Sequence, residues 1–152
     1  MDDLERLVAL QDIRDLVVTY AMAFDDHDWD RLGTVFTDDA SWVGPGHEFA
    51  GKENILEFMR TCLPEGYESK HMNPQTFVRF ADDGQSASAD SDVVWIAQNF
   101  ENTIVARYHD DVVKQDGRWL IKRREEQPLT FRAGPPPMSD TAMSVSAGTL
   151  KE

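Results

Sequence analysis

The amino-acid sequence predicts an α+β domain in which three N-terminal helices pack on one face of a strongly curved, mostly antiparallel sheet. Up to about residue 63, apolar residues recur at helical spacing, with one short strand among the helices. From about residue 68 to 128 the pattern becomes β-rich, and turn sequences separate the segments. Helices first and hairpins afterwards are typical of the α+β class.

The predicted helices each have an apolar side and a recognisable boundary. Asp28 can cap a short second helix that continues through Phe36, because an aspartate side chain accepts hydrogen bonds from the first helical N–H groups. A third helix follows Gly51 and closes at Pro64-Glu65-Gly66. The first helix is predicted over residues 4–24, and its buried stripe is formed by Leu10, Ile13, Leu16, Val17, Tyr20, Ala21 and Phe24.

The predicted strands are bounded by turn residues. A short strand at 40–43 stops at Gly44-Pro45-Gly46, and Asp116-Gly117 is a strong signal for a two-residue hairpin turn. The later strands are predicted at 76–80, 86–98, 103–113 and 118–127, with a turn from Asn99 to Asn102. Side chains alternate across a strand, so one face of segment 86–98 is assigned to the interior: Ser91, Val93 and Trp95.

The bulk composition limits the possible functions. The chain has 152 residues, which suits one core, and its net charge of -13 argues against nucleic acid and anionic membranes as partners. Cys62 is the single cysteine, so an internal disulfide is impossible and a reducing cytoplasm is expected; we interpret its thiol as part of the core. We predict a domain over residues 1–131 and an extended or partly disordered C-terminal arm over 132–152, which contains Pro135-Pro136-Pro137.

An ordered set of short motifs extends from about residue 5 to residue 130. The set comprises Ile13-Arg14-Asp15-Leu16 through Tyr20, Asp25, Trp29-Asp30, Leu32, Phe36, Asp39-Ala40, Trp42, Gly51, His71-Met72-Asn73, Tyr108-His109-Asp110, Asp116-Gly117-Arg118-Trp119 and Ile121. In this order, the motifs resemble the SnoaL-like domain family of the nuclear transport factor 2-like superfamily. The resemblance implies a cone-shaped α+β barrel around a pocket for a small, largely apolar molecule, on a scaffold that serves many functions.

Within that superfamily, the chain looks most like cofactor-independent lyases: scytalone dehydratase, bile acid 7α-dehydratase and hexachlorocyclohexane dehydrochlorinase. Those enzymes pair a histidine with an aspartate at the pocket floor, and His71 and Asp25 fall at the matching positions. The resemblance also assigns Tyr20 and Arg124 to the pocket. Ordinary structural roles stay open for all four: a helix-end aspartate, a hydrogen-bonded histidine, a core tyrosine and an arginine on the other face.

The arginine assignment conflicts with simple strand alternation. Arg123 and Arg124 point to opposite faces of segment 118–127, and counting from Trp119 and Ile121 turns Arg123 inward. The family match favours Arg124, which requires either a β-bulge or outward-facing Trp119 and Ile121.

These residues suit an elimination reaction. Removing water or a halide needs a base for the C–H proton, a group that assists the leaving group, and a dry site. Histidine is a natural base near neutral pH, and a carboxylate on its other ring nitrogen holds the tautomer. The walls and substrate contacts are expected from Phe24, Trp42, Phe58, Ser91, Val93 and Trp95.

Two other functions stay open at this level. The scaffold also serves as a non-catalytic binding or accessory protein, such as the small subunit of ring-hydroxylating oxygenases. A ketosteroid-isomerase-like proton shuttle is less favoured, because we find no convincing second acid pair. We expect no cofactor and no metal, since there is no histidine pair at helical spacing and no Cys/His cluster. A homo-oligomer, either trimer or dimer, is expected, with Trp119, Ile121 and aliphatic residues of 104–113 as the contact.

Overall fold

The computed structural model describes residues 1–73, 75–97 and 102–129. Three helices and a seven-stranded sheet make up this part of the chain. The helices are α1 (Asp3–Asp25), α2 (Trp29–Gly33) and α3 (Lys52–Cys62). The strands are β1 (Phe36–Gly44), β2 (His47–Ala50), β3 (Ser69–Met72), β4 (Thr76–Phe80), β5 (Ser86–Ala97), β6 (Asn102–Gln115) and β7 (Arg118–Pro128).

The sheet is curved and open, and the helices pack on it, so the predicted α+β cone is confirmed. Its strand order is β2-β1-β7-β6-β5-β3, and β4 also pairs with β5. All pairings are antiparallel except that of β1 with β7. The core lies between the helices and the enclosed face of the sheet, where apolar side chains from α1, α3 and β5–β7 meet.

Local signals account for the helix α1 and for the hairpin β6–β7. The Asp2 side chain accepts a 2.8 Å hydrogen bond from the Glu5 amide, and the Glu5 side chain accepts one of 2.8 Å from the Asp2 amide. This reciprocal capping box satisfies two amides that the helix leaves free. At the hairpin, Asp116 (φ 50°) and Gly117 (φ 78°) both lie in the left-handed region, as the predicted two-residue turn requires.

A β-bulge in β7 settles which arginine faces inward. On β6, neighbouring residues Asp111 and Val112 pair with Arg123 and Ile121, so Lys122 is the extra residue on β7. The extra residue reverses the alternation of side chains beyond it. As a result, Ile121 before the bulge (0% exposed) and Arg124 after it (0% exposed) both lie inside the domain.

Burial of the residues before the bulge corrects one expectation. Trp119 is 4% exposed and packs with Ile121 in the core of the single chain, so neither residue is available for the contact between subunits that we expected. The bulge is the physical reason, because it lets the residues on both sides of Lys122 use the same interior.

Three further expectations differ from the structure. The second helix ends at Gly33, and Phe36 is the first residue of β1. The Val35 carbonyl accepts a 2.8 Å hydrogen bond from the Ile121 amide, so this segment pairs with the sheet and does not continue the helix. The short strand β2 was not anticipated; it pairs back on β1. Cys62 is exposed, because the chain buries its neighbour Leu63 instead. The predicted arm at 132–152 and most of the turn at 99–102 lie outside the described residues.

Candidate active site

Asp25 and His71 form a hydrogen-bonded pair at the end of the first helix. Asp25 is the last residue of α1, and His71 lies in β3. The His71 Nδ1 atom is 2.8 Å from Asp25 Oδ1, and the His71 backbone N–H donates to Asp25 Oδ2 over 2.7 Å. Their side chains are only 3% and 4% exposed. The carboxylate therefore forms hydrogen bonds with both the ring and the backbone of the histidine, which restricts the ring to one orientation.

The surroundings keep Asp25 ionised. Burial acts to raise the pKa of its carboxyl group, but hydrogen bonds and charge attraction from His71, with a 2.7 Å hydrogen bond from the Ser69 hydroxyl, outweigh that effect and lower the pKa. An ionised carboxylate can only accept hydrogen bonds. Nδ1 of His71 therefore carries a proton toward Asp25, and in a neutral imidazole the lone pair is then on Nε2.

His71 borders an apolar cavity of about 140 Å³, and Asp25 lies behind it, outside the lining. A dry cavity of about 150 Å³ is large enough for benzene, so this space suits a small ring. Two buried indole N–H groups, of Trp42 and Trp95, have no hydrogen-bond partner in the described part of the chain. The lining consists of Tyr20, Phe24, Trp42, Phe58, Met59, Cys62, His71, Val93, Trp95, Ile104, Tyr108 and Glu126.

The cavity brings together most of the residues that the sequence singled out. His71, Tyr20 and five of the six expected wall residues border it: Phe24, Trp42, Phe58, Val93 and Trp95. Ser91 shares the inward face of β5 but lies outside this lining, because its hydroxyl sits 3.0 Å from the Thr76 hydroxyl on β4. Ser91 thus joins two strands at a distance from the dyad.

Arg124 lies behind the cavity wall. Its guanidinium carbon is 4.0 Å from the ring centroid of Tyr20 and 4.2 Å from that of Tyr108. Asp110 binds it through two hydrogen bonds of 2.7 and 2.6 Å, and both side chains are 0% exposed. Arg124 is absent from the lining, and the two tyrosine rings lie between its guanidinium group and the cavity.

The two tyrosines are neutral hydroxyl groups. Burial raises the pKa of Tyr20 to about 12, although the Arg124 charge opposes the rise. Burial also raises the pKa of Tyr108 well above its usual value, and the neighbouring Tyr20 adds to this. The Tyr20 hydroxyl lies 3.7 Å from the Met59 sulfur, a weak acceptor, so it can turn to a better partner in the cavity.

Sequence reasoning did not assign Tyr108 or Glu126 to the site. Tyr108 was noted only as part of a motif, and its neighbour Asp110 proved to be the partner of Arg124. Glu126 follows the bulge by four residues and lies two residues after Arg124, so strand alternation from Arg124 would have turned it inward. The inward assignment of Arg124 was therefore the signal that could have identified Glu126.

Other parts of the described chain offer no rival site of comparable character. A polar surface groove of about 490 Å³ lies between α2, α3 and the β6–β7 turn, but it contains neither member of the dyad. Within the described residues, no group of three or more His, Cys, Asp or Glu side chains is arranged to hold a metal ion. No described helix is long and apolar enough to cross a membrane.

The fold agrees with the family resemblance. The chain belongs to the SnoaL-like domain family, whose model matches residues 5–125. Among known proteins, it is 27% identical over 130 residues to the gamma-hexachlorocyclohexane dehydrochlorinase of Sphingobium indicum, a match that covers 82% of this chain and 83% of the relative.

Solved structures show the same fold. A protein of Novosphingobium aromaticivorans, provisionally described as a scytalone dehydratase, superimposes with a TM-score of 0.74 at 22% identity, covering 88% of this chain and 95% of its own. A type 2 hexachlorocyclohexane dehydrochlorinase superimposes with a TM-score of 0.74 at 24% identity, covering 90% of this chain and 99% of its own. These likenesses show that the chain shares the fold of those proteins.

Proposed function

We propose that this protein is a cofactor-independent lyase that removes a proton and a neighbouring leaving group from a small, largely apolar cyclic molecule. The observation that carries the proposal is the 2.8 Å hydrogen bond between Asp25 and His71 at the border of an apolar cavity. An oriented imidazole beside an apolar space is the arrangement that proton abstraction from carbon needs.

In this proposal His71 is the general base. Its Nε2 lone pair takes the C–H proton, and the imidazolium that forms is stabilised by the Asp25 carboxylate. Asp25 is a positioning residue, because its oxygens are occupied by His71 and Ser69. A positioned base of this kind typically contributes on the order of 10²–10⁴-fold in rate.

Tyr20 assists the developing negative charge. Its hydroxyl borders the cavity, and the Arg124 guanidinium over its ring strengthens it as a hydrogen-bond donor. Arg124 is therefore a positioning residue that acts through Tyr20, and no longer the group that holds the leaving group directly. The aromatic walls exclude water, which strengthens these interactions.

The relatives support this class of reaction. Two of those named above are dehydrochlorinases, and one is provisionally described as a dehydratase. Both names denote eliminations from carbon skeletons without a redox change. A small cyclic substrate also suits the cavity of about 140 Å³. A role as a purely non-catalytic binder has no use for a buried ion-pairing dyad in an apolar space.

We further propose a cytoplasmic homo-oligomer. A single cysteine suits a reducing compartment. With Trp119 and Ile121 in the core, the contact between copies would use other apolar groups, such as exposed Phe77 and Ile104. Sedimentation of the wild-type chain beside a Phe77→Ser variant tests this: an unchanged assembly in the variant would exclude Phe77 from the contact.

The test of function compares two histidines that each pair with an aspartate. His71→Ala is expected to lose turnover of hydroxylated or chlorinated six-membered cyclic ketones by at least about 10²-fold. His109→Ala is the matched control, because His109 contacts Asp90 over 2.7 Å on the other side of the sheet, away from the cavity. Retained turnover in His71→Ala, with the fold intact by circular dichroism, would rule out His71 as the base.

A further inference from the structure

Glu126 is an acidic side chain in the cavity that the proposed base and its partners do not use. It lies on β7, two residues after Arg124, and its cross-strand neighbour on β6 is Tyr108. Glu126 lines the same cavity as His71. The strand β7 is separated from β3, which carries His71, by β6 and β5, so the two groups approach the cavity from different walls.

Glu126 is half-buried and differs from the two buried acids, Asp25 and Asp110, in having no partner among the described residues. Asp25 is bonded to His71 and Ser69, and Asp110 is bonded to Arg124. Within the described residues, Glu126 makes no hydrogen bond and no ion pair. Its neighbours across the cavity include the rings of Trp42 and Phe58.

An unpartnered carboxyl group against apolar walls favours its neutral form. Burial raises the pKa of Glu126, and the charge of Arg124 only partly opposes this. A protonated carboxyl group is a hydrogen-bond donor with a labile proton. Glu126 and His71 therefore offer the cavity two ionisable groups on different walls, and the raised pKa of Glu126 favours its role as a proton donor.

We infer that Glu126 is the general acid of this site, and that the group it protonates is a departing hydroxyl, so the substrate is a small cyclic alcohol. The inference rests on the proposed lyase function and extends it by naming the acid and the leaving group.

The proposed step balances in atoms and charge. His71 Nε2 takes the C–H proton, and the electrons of that bond form the new carbon–carbon double bond. The carbon–oxygen bond breaks with its electron pair on oxygen, and the Glu126 proton converts that oxygen into water. The dyad then holds one extra proton and Glu126 holds one fewer. A proton transfer from His71 to Glu126 through the released water or solvent restores the site.

The cavity suits a hydroxyl leaving group better than a halide. Hydroxide is a poor leaving group and needs a proton, whereas a halide leaves as a stable anion and favours a cationic site. Among the described residues, no lysine or arginine borders the cavity; the Arg124 Nε and one of its Nη groups bind Asp110, while its buried Nη1 has no hydrogen-bond partner. A carboxyl group in that place adds nothing for a departing chloride.

Infrared spectroscopy of the full chain tests the acid without requiring turnover. At about pH 6 an ordinary glutamate is ionised, so a protonated carboxyl band that disappears in Glu126→Gln identifies this group. Adding cyclohexanol, an unreactive alcohol of the right size, is expected to shift the band. Glu125→Gln is the matched control, because Glu125 is the preceding residue and pairs with Arg123 over 2.9 Å. The inference is overturned if no protonated carboxyl band is found, or if the frequency of the band does not change when cyclohexanol is added.

Kinetics with two matched probes tests the leaving group. Glu126→Gln is expected to slow elimination from 3-hydroxycyclohexanone by about 10²-fold or more, and to change elimination from 3-chlorocyclohexanone only a few-fold, after subtraction of the buffer rate. Equal losses on both probes would overturn the inference. His71→Ala separates the two proposals. This variant should keep the infrared band of Glu126 and lose both elimination reactions. If it retained the reactions, His71 would not be the base, but the infrared result for Glu126 would still stand.

Discussion

Asp110 holds Arg124 in a two-point ion pair from which solvent is wholly excluded, directly behind two tyrosines of the cavity. Buried ion pairs add little net stability compared with apolar replacements, but removing one partner leaves an uncompensated charge. The pair joins β6 to β7 just beyond the bulge and fixes the position of Tyr20 and Tyr108. It links the core of the sheet to the candidate site.

Removal of Asp110 is therefore expected to destabilise the protein strongly. Asp110→Ala should lower the free energy of unfolding by about 3–5 kcal/mol, because Arg124 is left buried and unpaired. Urea unfolding measures the change. Asp92→Ala is the matched control: Asp92 pairs with Arg107 at the surface, and such exposed pairs contribute about 0–1 kcal/mol. Similar losses in the two variants would contradict this account of Arg124.

Asp25→Asn tests the positioning role of the aspartate. An asparagine side chain can keep the size of the residue, but it offers one acceptor oxygen where the carboxylate gives Ser69 and His71 two. The favoured tautomer of His71 is then lost, and kcat should fall by about 10²-fold or more, with a smaller change in KM. Steady-state kinetics on whichever cyclic substrate the wild type converts provides the measurement. An unchanged kcat would mean that His71 needs no orienting carboxylate.

The same carboxyl group predicts a dependence of stability on acid. Because the folded state lowers the pKa of Asp25, ionised Asp25 stabilises the fold at pH values above its ordinary range, and this contribution is lost as the pH falls through the lowered pKa. The stability difference between wild type and Asp25→Asn should be full at neutral pH and shrink below about pH 3.8. Unfolding curves at several pH values measure it, and a constant difference would contradict the shift.

Glu126→Gln should show the opposite pH dependence. The folded state raises the pKa of Glu126, so the wild type loses stability as the pH rises through that raised pKa. Glutamine carries no charge at any pH. The variant is therefore expected to gain stability relative to wild type at neutral pH and to match it below the ordinary glutamate range. Thermal unfolding of the variant and the wild type at acid and neutral pH measures this difference. Glu125→Gln is the control and should show no gain in stability at neutral pH.

Gly44→Ala should disturb the cavity from outside. A Cβ atom there would overlap the Trp42 ring, with one ring carbon at 2.6 Å. Trp42 borders the cavity, so its ring must move, and overpacking typically costs about 1–3 kcal/mol. Gly33→Ala is a milder control, because its Cβ would meet only a flexible Leu56 methyl group at 3.3 Å. Unfolding measures the loss of stability, and tryptophan fluorescence measures the movement of the Trp42 ring. An unchanged fluorescence spectrum in Gly44→Ala would contradict the overlap.

The local pattern of the chain determined much of this architecture by itself. The apolar stripe of α1 and the hairpin turn at Asp116-Gly117 depend on short-range geometry, which the order of residues expresses directly. The ordered motifs also led to the family, and the resemblance implied that Asp25 and His71 form a pair. The structure then brought their side chains within 2.8 Å.

Only the tertiary structure decided how the rest of the site is arranged. Phe36 lies in a strand and not in the predicted helix, because Val35 pairs with Ile121, a residue more than 80 positions away in the chain. Because of the bulge at Lys122, Arg124 and Glu126 face inward. The hydrogen bonds from Arg124 to Asp110 hold its guanidinium group behind the cavity wall. Register and bulges result from pairing between distant strands, and one slipped residue reverses every side chain beyond it. The sequence alone thus determined the helices, the hairpin and the family, whereas contacts between distant segments decided which charged groups reach the cavity.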